Sequence, residues 1–163
     1  MQSFKTQRVS RSNTILLNDE PKTVFSLFSP EEEKRWAPGW DYTSLFPHNG
    51  HLEKNLMFLT TTHDHLKTPA IWIVCNYKPL DYTVEYLRIE PGNKIGNIEI
   101  VCDEGGEGKT TASVTYTYTS LGEEGNLFLE SFTDDFYAEY LSFWEKAINH
   151  YLETGRMISE LGG

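Results

Sequence analysis

The sequence contains no stretch approaching the roughly 18 consecutive apolar residues that a bilayer span requires, so no stable membrane insertion is expected. Its start, Met1 to Arg11, is polar and lacks the apolar core of a signal peptide. Basic residues are few: 14 lysines and arginines against 24 acidic side chains leave a formal net charge of −10. A surface of that sign repels a phosphate backbone, which argues against nucleic acid and anionic membrane as partners. Cysteine is scarcer still. Cys75 and Cys102 each sit inside a strand-like apolar run, where a thiol behaves as a small hydrophobe, and a reduced, cytoplasmic chain is expected. The motifs GxSxG and HExxH are absent, as is a cysteine with a nearby histidine pattern, so the common hydrolase and zinc-peptidase chemistries lack support.

Aromatic residues are plentiful, at 13% of 163 residues, within a hydrophobic content of 39%. That is enough for a packed core, and the length suits one domain over residues 1–163, with no linker, repeat or low-complexity tract. From Phe4 to Leu17 β-branched and polar residues alternate in part, as in a strand with one wet face. Asn18 to Pro21 then places cap residues and a proline ahead of Val24, Phe25, Leu27 and Phe28, the start of a short helix. A second start follows at Ser29, with Pro30 at the first helical position and Glu32 three residues after the cap. Glu31, Glu32 and Glu33 complement the positive end of that helix. Trp36-Ala37-Pro38-Gly39-Trp40 cannot continue it and is expected to be a loop carrying two large aromatics.

Between Asp41 and Leu121 runs of Val, Ile, Thr, Tyr and Phe alternate with short turn signals, which predicts six further strands joined as antiparallel hairpins. In the last of them Ala112, Val114, Tyr116 and Tyr118 share one face and Ser113, Thr115, Thr117 and Thr119 the other. After Gly122 the period changes. Leu129, Phe132, Phe136, Tyr140, Phe143, Trp144, Ala147 and Tyr151 recur at helical spacing, which predicts a single helix of about 25 residues ending near Gly155.

The segment VFSLFSPEEEKRWAPGW at 24–40, the strand WIVCNY at 72–77 followed by Pro79, the strand TASVTYTYTSL at 111–121 and FWEKAINHYL at 143–152 together make the chain resemble the START-like or SRPBCC superfamily, in particular its polyketide cyclase/dehydrase-like members. The resemblance covers nearly the whole chain, and the tryptophan-proline-glycine-tryptophan loop is its most specific part. It implies an α+β helix-grip fold of the birch pollen allergen type: a curved seven-stranded antiparallel sheet wraps a long C-terminal helix, with two short helices after the first strand. It also implies an internal cavity for a lipid, sterol, polyketide or other small hydrophobic molecule. The superfamily includes carriers, cyclases and chaperone regulators, so the fold alone does not fix the activity.

Candidate ligand-binding residues are Trp36 and Trp40 in the loop, Trp72 on its strand, Tyr116 and Tyr118 on the last strand, and Phe132, Phe136 and Tyr140 on the final helix. Ordinary core packing is the competing role for each. The three tyrosines are the better candidates because a buried hydroxyl needs a partner that a ligand could supply. Trp36 and Trp40 either gate the cavity mouth or anchor the loop. Glu85, Arg88, Glu90 and Glu99 could supply acid-base groups if any points inward; otherwise they solvate the outer face. His63-Asp64-His65, with His48 and His51, has the residue types of a metal site, yet falls in turn chemistry where solvated histidines are the commoner outcome, and no metal is expected. Gly105 to Thr110 lacks the spacing of a phosphate loop and leads into a strand, so a hairpin turn is expected.

The expectation is therefore a module that binds a small hydrophobic or aromatic molecule without a cofactor. A cyclase, aromatase or dehydratase-type enzyme, or a chaperone-regulator-like module for a protein partner, are the alternatives.

Overall fold

Strict alternation along β7 (Thr110–Ser120) buries every second side chain from Thr110 to Ser120 and leaves the intervening serines and threonines half-exposed. The computed structural model describes residues 4–61 and 68–159. The other strands are β1 (Arg8–Leu17), β2 (Thr43–Phe46), β3 (Met57–Thr60), β4 (Ala70–Lys78), β5 (Thr83–Glu90) and β6 (Lys94–Glu104). All seven form one antiparallel sheet in the order β1-β7-β6-β5-β4-β3-β2. The turn at Gly105 to Lys109 is a hairpin, closed by the Gly105 N–H bonded to the Lys109 carbonyl at 3.0 Å.

Two devices shape the inner face. In β4 the register shifts between Val74 and Asn76, so Cys75 is an extra residue and the inward positions change from Val74 to Tyr77. In β6, Gly96 has no side chain where the Tyr118 ring crosses it; a Cβ there would lie 2.8 Å from the tyrosine Cε1. Both cysteines are free thiols, and burial pushes the Cys102 thiol up to about 12.

The short helices are α1 (Pro21–Ser26) and α2 (Pro30–Trp36). Ser29 caps α2 as its spacing predicts, its hydroxyl accepting the Glu32 N–H at 3.1 Å. The expected long C-terminal helix is α4 (Asp134–Thr154), stopping at Gly155, but its predicted first turn with Leu129 belongs instead to a separate short helix, α3 (Glu123–Ser131). Phe132 leaves helical geometry, and Thr133 starts α4 by accepting the Phe136 N–H at 3.1 Å, with Asp134 and Asp135 in the first turn. Threonine followed by two aspartates is a helix start in its own right, and it overrides the continuous apolar period. Arg11 of β1 fixes the break: it donates to the Phe132 carbonyl at 3.1 Å and pairs with Asp134 at 3.2 Å.

Helix α4 is held along one side by polar bonds. Tyr137 donates its hydroxyl to the Val114 carbonyl. Farther along, Glu145 accepts the Leu16 N–H and Asn149 accepts the Asn18 N–H, each at 2.8 Å, and the Asn149 amide donates to the Leu16 carbonyl at 3.0 Å. The two bonds to Leu16 occupy backbone groups of β1, an edge strand that would otherwise offer them to another chain. Among the described residues no helix is long and apolar enough to cross a membrane.

Candidate functional site

Helix α4 carries two adjacent apolar stripes. Tyr137, Leu141, Ala147 and Ile148 are buried, whereas Phe136, Tyr140 and Phe143 remain 48%, 40% and 40% exposed. The second stripe borders a cavity of about 710 Å³ between α4 and the sheet, and its half-exposed rings mark where that cavity meets solvent. The predicted stripe merged the two, because residues one position apart on a helix differ by only about 100° and a wide apolar arc has no internal boundary in the sequence.

All eight predicted residues stand on the cavity wall: Trp36, Trp40, Trp72, Tyr116, Tyr118, Phe132, Phe136 and Tyr140. Phe132 does so from the break between α3 and α4, not from within a helix. Trp36 ends α2 and is buried, its indole N–H donating to the Leu27 carbonyl at 2.8 Å, with edge contacts to Phe28 and Trp144. Trp40 donates to the Pro30 carbonyl at 2.8 Å and meets Phe58 and Trp72 edge-on. Both indoles are thus tied down as anchors. Sequence reasoning missed Tyr86, Phe128, Phe143 and Trp144 on the same wall.

The hydroxyls divide into satisfied and open ones. Tyr86 donates to the Phe28 carbonyl at 2.7 Å. Tyr116 and Tyr140 approach each other at 3.4 Å, a weak bond. The Tyr118 hydroxyl has no hydrogen-bond partner among the described residues. Burial raises the pKa of Tyr86, Tyr116 and Tyr118, so all three stay protonated donors at neutral pH.

Of the charged candidates, the structure turns Arg88 and Glu90 inward, on the same face of β5 as Val84 and Tyr86. Glu85 and Glu99 face each other on the other side of the sheet, where Glu85 accepts from the Asn97 amide at 2.6 Å. Sequence reasoning missed three charged residues of the cavity wall, Lys94, Glu124 and Glu33.

Glu33 is the least expected. Three consecutive glutamates on α2 step round the helix by about 100° each and meet three fates. Glu31 accepts from the Tyr42 hydroxyl and pairs with Lys34 at 3.5 Å, Glu32 pairs with Arg35 at 2.5 Å, and Glu33 faces the cavity without a hydrogen-bond or ion-pair partner among the described residues. Glu33 shares its helix face with Pro30, Trp36 and Ala37, and that spacing was the available signal. Burial pushes its carboxyl well above the ordinary value of 4.5.

The folded protein therefore holds this proton at pH values where the unfolded chain releases it, and Glu33 costs stability as pH rises from 4.5 towards its folded pKa. Glu33→Gln is expected to melt at a higher temperature than wild type at pH 7, the gain shrinking to nothing below pH 4. Thermal melts at four or five pH values check this; an equal gain at every pH would reject a titrating Glu33.

His63, Asp64 and His65 lie outside the described residues. Among the described residues no group of three or more His, Cys, Asp and Glu side chains is placed to hold a metal ion.

No family model matches the sequence, and no curated protein matches it significantly. Solved structures do. Norcoclaurine synthase from Thalictrum flavum, in complex with dopamine and hydroxybenzaldehyde, superposes with a TM-score of 0.66 at 11% identity, covering 91% of this chain and 88% of that one. A protein of unknown function from Staphylococcus aureus gives 0.67 at 13% identity over 93% and 97% of the two chains. The major latex-like protein 151 of Panax ginseng gives 0.58 at 15% identity, also over 93% and 97%. At such identities the likeness establishes the shared helix-grip fold.

Proposed function

We propose that this protein binds a small hydrophobic or aromatic molecule, of lipid, sterol or polyketide-like size, between the sheet and α4. The observation that carries the proposal is the cavity of about 710 Å³, walled mainly by aromatic side chains with charged and hydroxyl groups among them. The fold likeness supports an aromatic occupant, since norcoclaurine synthase was solved with two small aromatic molecules. Titration with N-phenyl-1-naphthylamine is expected to give saturable, one-to-one fluorescence enhancement with a Kd of about 10 μM or tighter. Native mass spectrometry should find the same stoichiometry. A protein that stays folded yet gives no saturable signal would remove the container reading.

Glu33 favours a second reading, an acid-base enzyme of the polyketide cyclase, aromatase or dehydratase type, which the sequence resemblance also suggests. A carboxyl group whose burial favours its protonated form can deliver its proton to a bound carbonyl oxygen and, as the resulting carboxylate, take one from the adjacent carbon. The product is an enol, and the carboxyl ends in its starting state. Exchange of the α-hydrogens of a bound cyclic ketone with deuterated solvent tests this. The reading predicts exchange that Glu33→Gln abolishes while the ketone stays bound.

A further inference from the structure

Where β5 turns into β6, two cations share one carboxylate. Arg88 and Lys94 both bond Oε2 of Glu90, Lys94 at 3.0 Å, and Lys94 lies directly opposite Glu90 in the strand register. The Lys94 and Glu90 side chains are only 8% and 9% exposed, and that of Arg88 20%. A buried charge is costly unless it is matched, and here two positive charges meet one negative. Apart from a 3.4 Å approach of Lys94 to the Asn93 amide oxygen, neither cation has another acceptor among the described residues. Both residues line the cavity, with donors to spare on the Arg88 fork and the Lys94 ammonium.

The surroundings direct those donors. Arg88 lies over the Trp72 ring at 5.5 Å, and Lys94 over Phe128 at 4.0 Å. Gly96, paired with Arg88 on one side and Tyr118 on the other, leaves room for the tyrosine ring, whose hydroxyl has no partner among the described residues. Glu124, the remaining acidic residue at this end of the wall, is exposed and forms no ion pair among the described residues. Tyr86, next to the α2 end of the cavity, is four residues from Glu90 along β5, about 13 Å at 3.3 Å per residue.

We propose that Arg88 and Lys94 form an anion subsite, and that the molecule held in the cavity is a carboxylate whose ring-bearing apolar body extends from there towards Tyr86. This rests on the container reading above. It adds that the ligand has a charged end, and which end of the cavity receives it. Arginine suits that end because its planar fork matches two carboxylate oxygens.

A matched pair of probes, 1-pyrenebutyrate and 1-pyrenebutanol, separates the two ideas in the wild-type protein. The acid is expected to bind at least about tenfold tighter, as charge-assisted hydrogen bonds imply. The chain's overall charge of −10 works against that preference, so it cannot arise from general attraction. Arg88→Gln and Lys94→Met should each bring the acid-to-alcohol affinity ratio towards one. Equal affinities in wild type, or a preference that survives both substitutions, overturn the subsite and leave the container standing. Failure of both probes to bind overturns both.

Discussion

Trp36→Ala is expected to lose about 3–5 kcal/mol of folding stability, the usual cost of removing a buried tryptophan. For a domain whose total stability is on the order of 5–15 kcal/mol, that brings the protein close to unfolding at physiological temperature. The effect is large because three contributions vanish together. The ring is 2% exposed, its N–H satisfies the Leu27 carbonyl between the two short helices, and its face and edges join Phe28 of that junction to Trp144 of α4. The carbonyl left behind has no replacement donor unless water enters. Phe143→Ala, on the half-exposed stripe of α4, is the instructive comparison. It removes a smaller ring and should cost less than about 1.5 kcal/mol, chiefly because much of that ring already meets water. Its consequence should appear in probe affinity instead. Urea titrations followed by far-ultraviolet circular dichroism measure both; similar losses for the two variants would mean that the cavity wall is ordinary core.

Gly125→Ala should destabilise by about 3 kcal/mol, opposite in sign to the gain that glycine-to-alanine brings in most helices. The new Cβ would lie 2.0 Å from the Asn93 carbonyl oxygen and 3.0 Å from its carbon. That carbonyl cannot retreat freely, since it accepts the Leu121 N–H at 2.8 Å. Helix α3 must therefore tilt away from the β5–β6 turn, taking Phe128 and Glu124 off the cavity wall. Weakened 1-pyrenebutyrate binding should accompany the lowered stability. A variant as stable as wild type would show that the contact between α3 and the turn is loose.

Much of the architecture was legible because local chemistry and global packing agree there. The Ser29 cap, the Pro38-Gly39 interruption and the alternation in β7 each have one physical solution, and the structure adopts it. Legibility fails where the cavity reverses the ordinary rule. On β5, Val84 and Tyr86 point inward, but so do Arg88 and Glu90, while Leu87 and Ile89 face out. A strand bordering a void can turn charges into it, so apolar alternation no longer identifies the inner face. Glu33 was hidden for a similar reason: in a run of three glutamates at a helix start, the dipole accounts for all of them, and only the packed position of α2 singles out the third. The break at Phe132 was readable from Thr133-Asp134-Asp135, but the stronger apolar period masked it.

The attachment of α4 through Arg11, Tyr137, Glu145 and Asn149 places its fastenings on the side away from Phe136, Tyr140 and Phe143. Fastening and furnishing are thus assigned to different residues of one rod. Substitutions among the three rings can recut the interior while the bolts stay in place. For anyone wishing to redesign this scaffold as a sensor, those are the positions to randomise first.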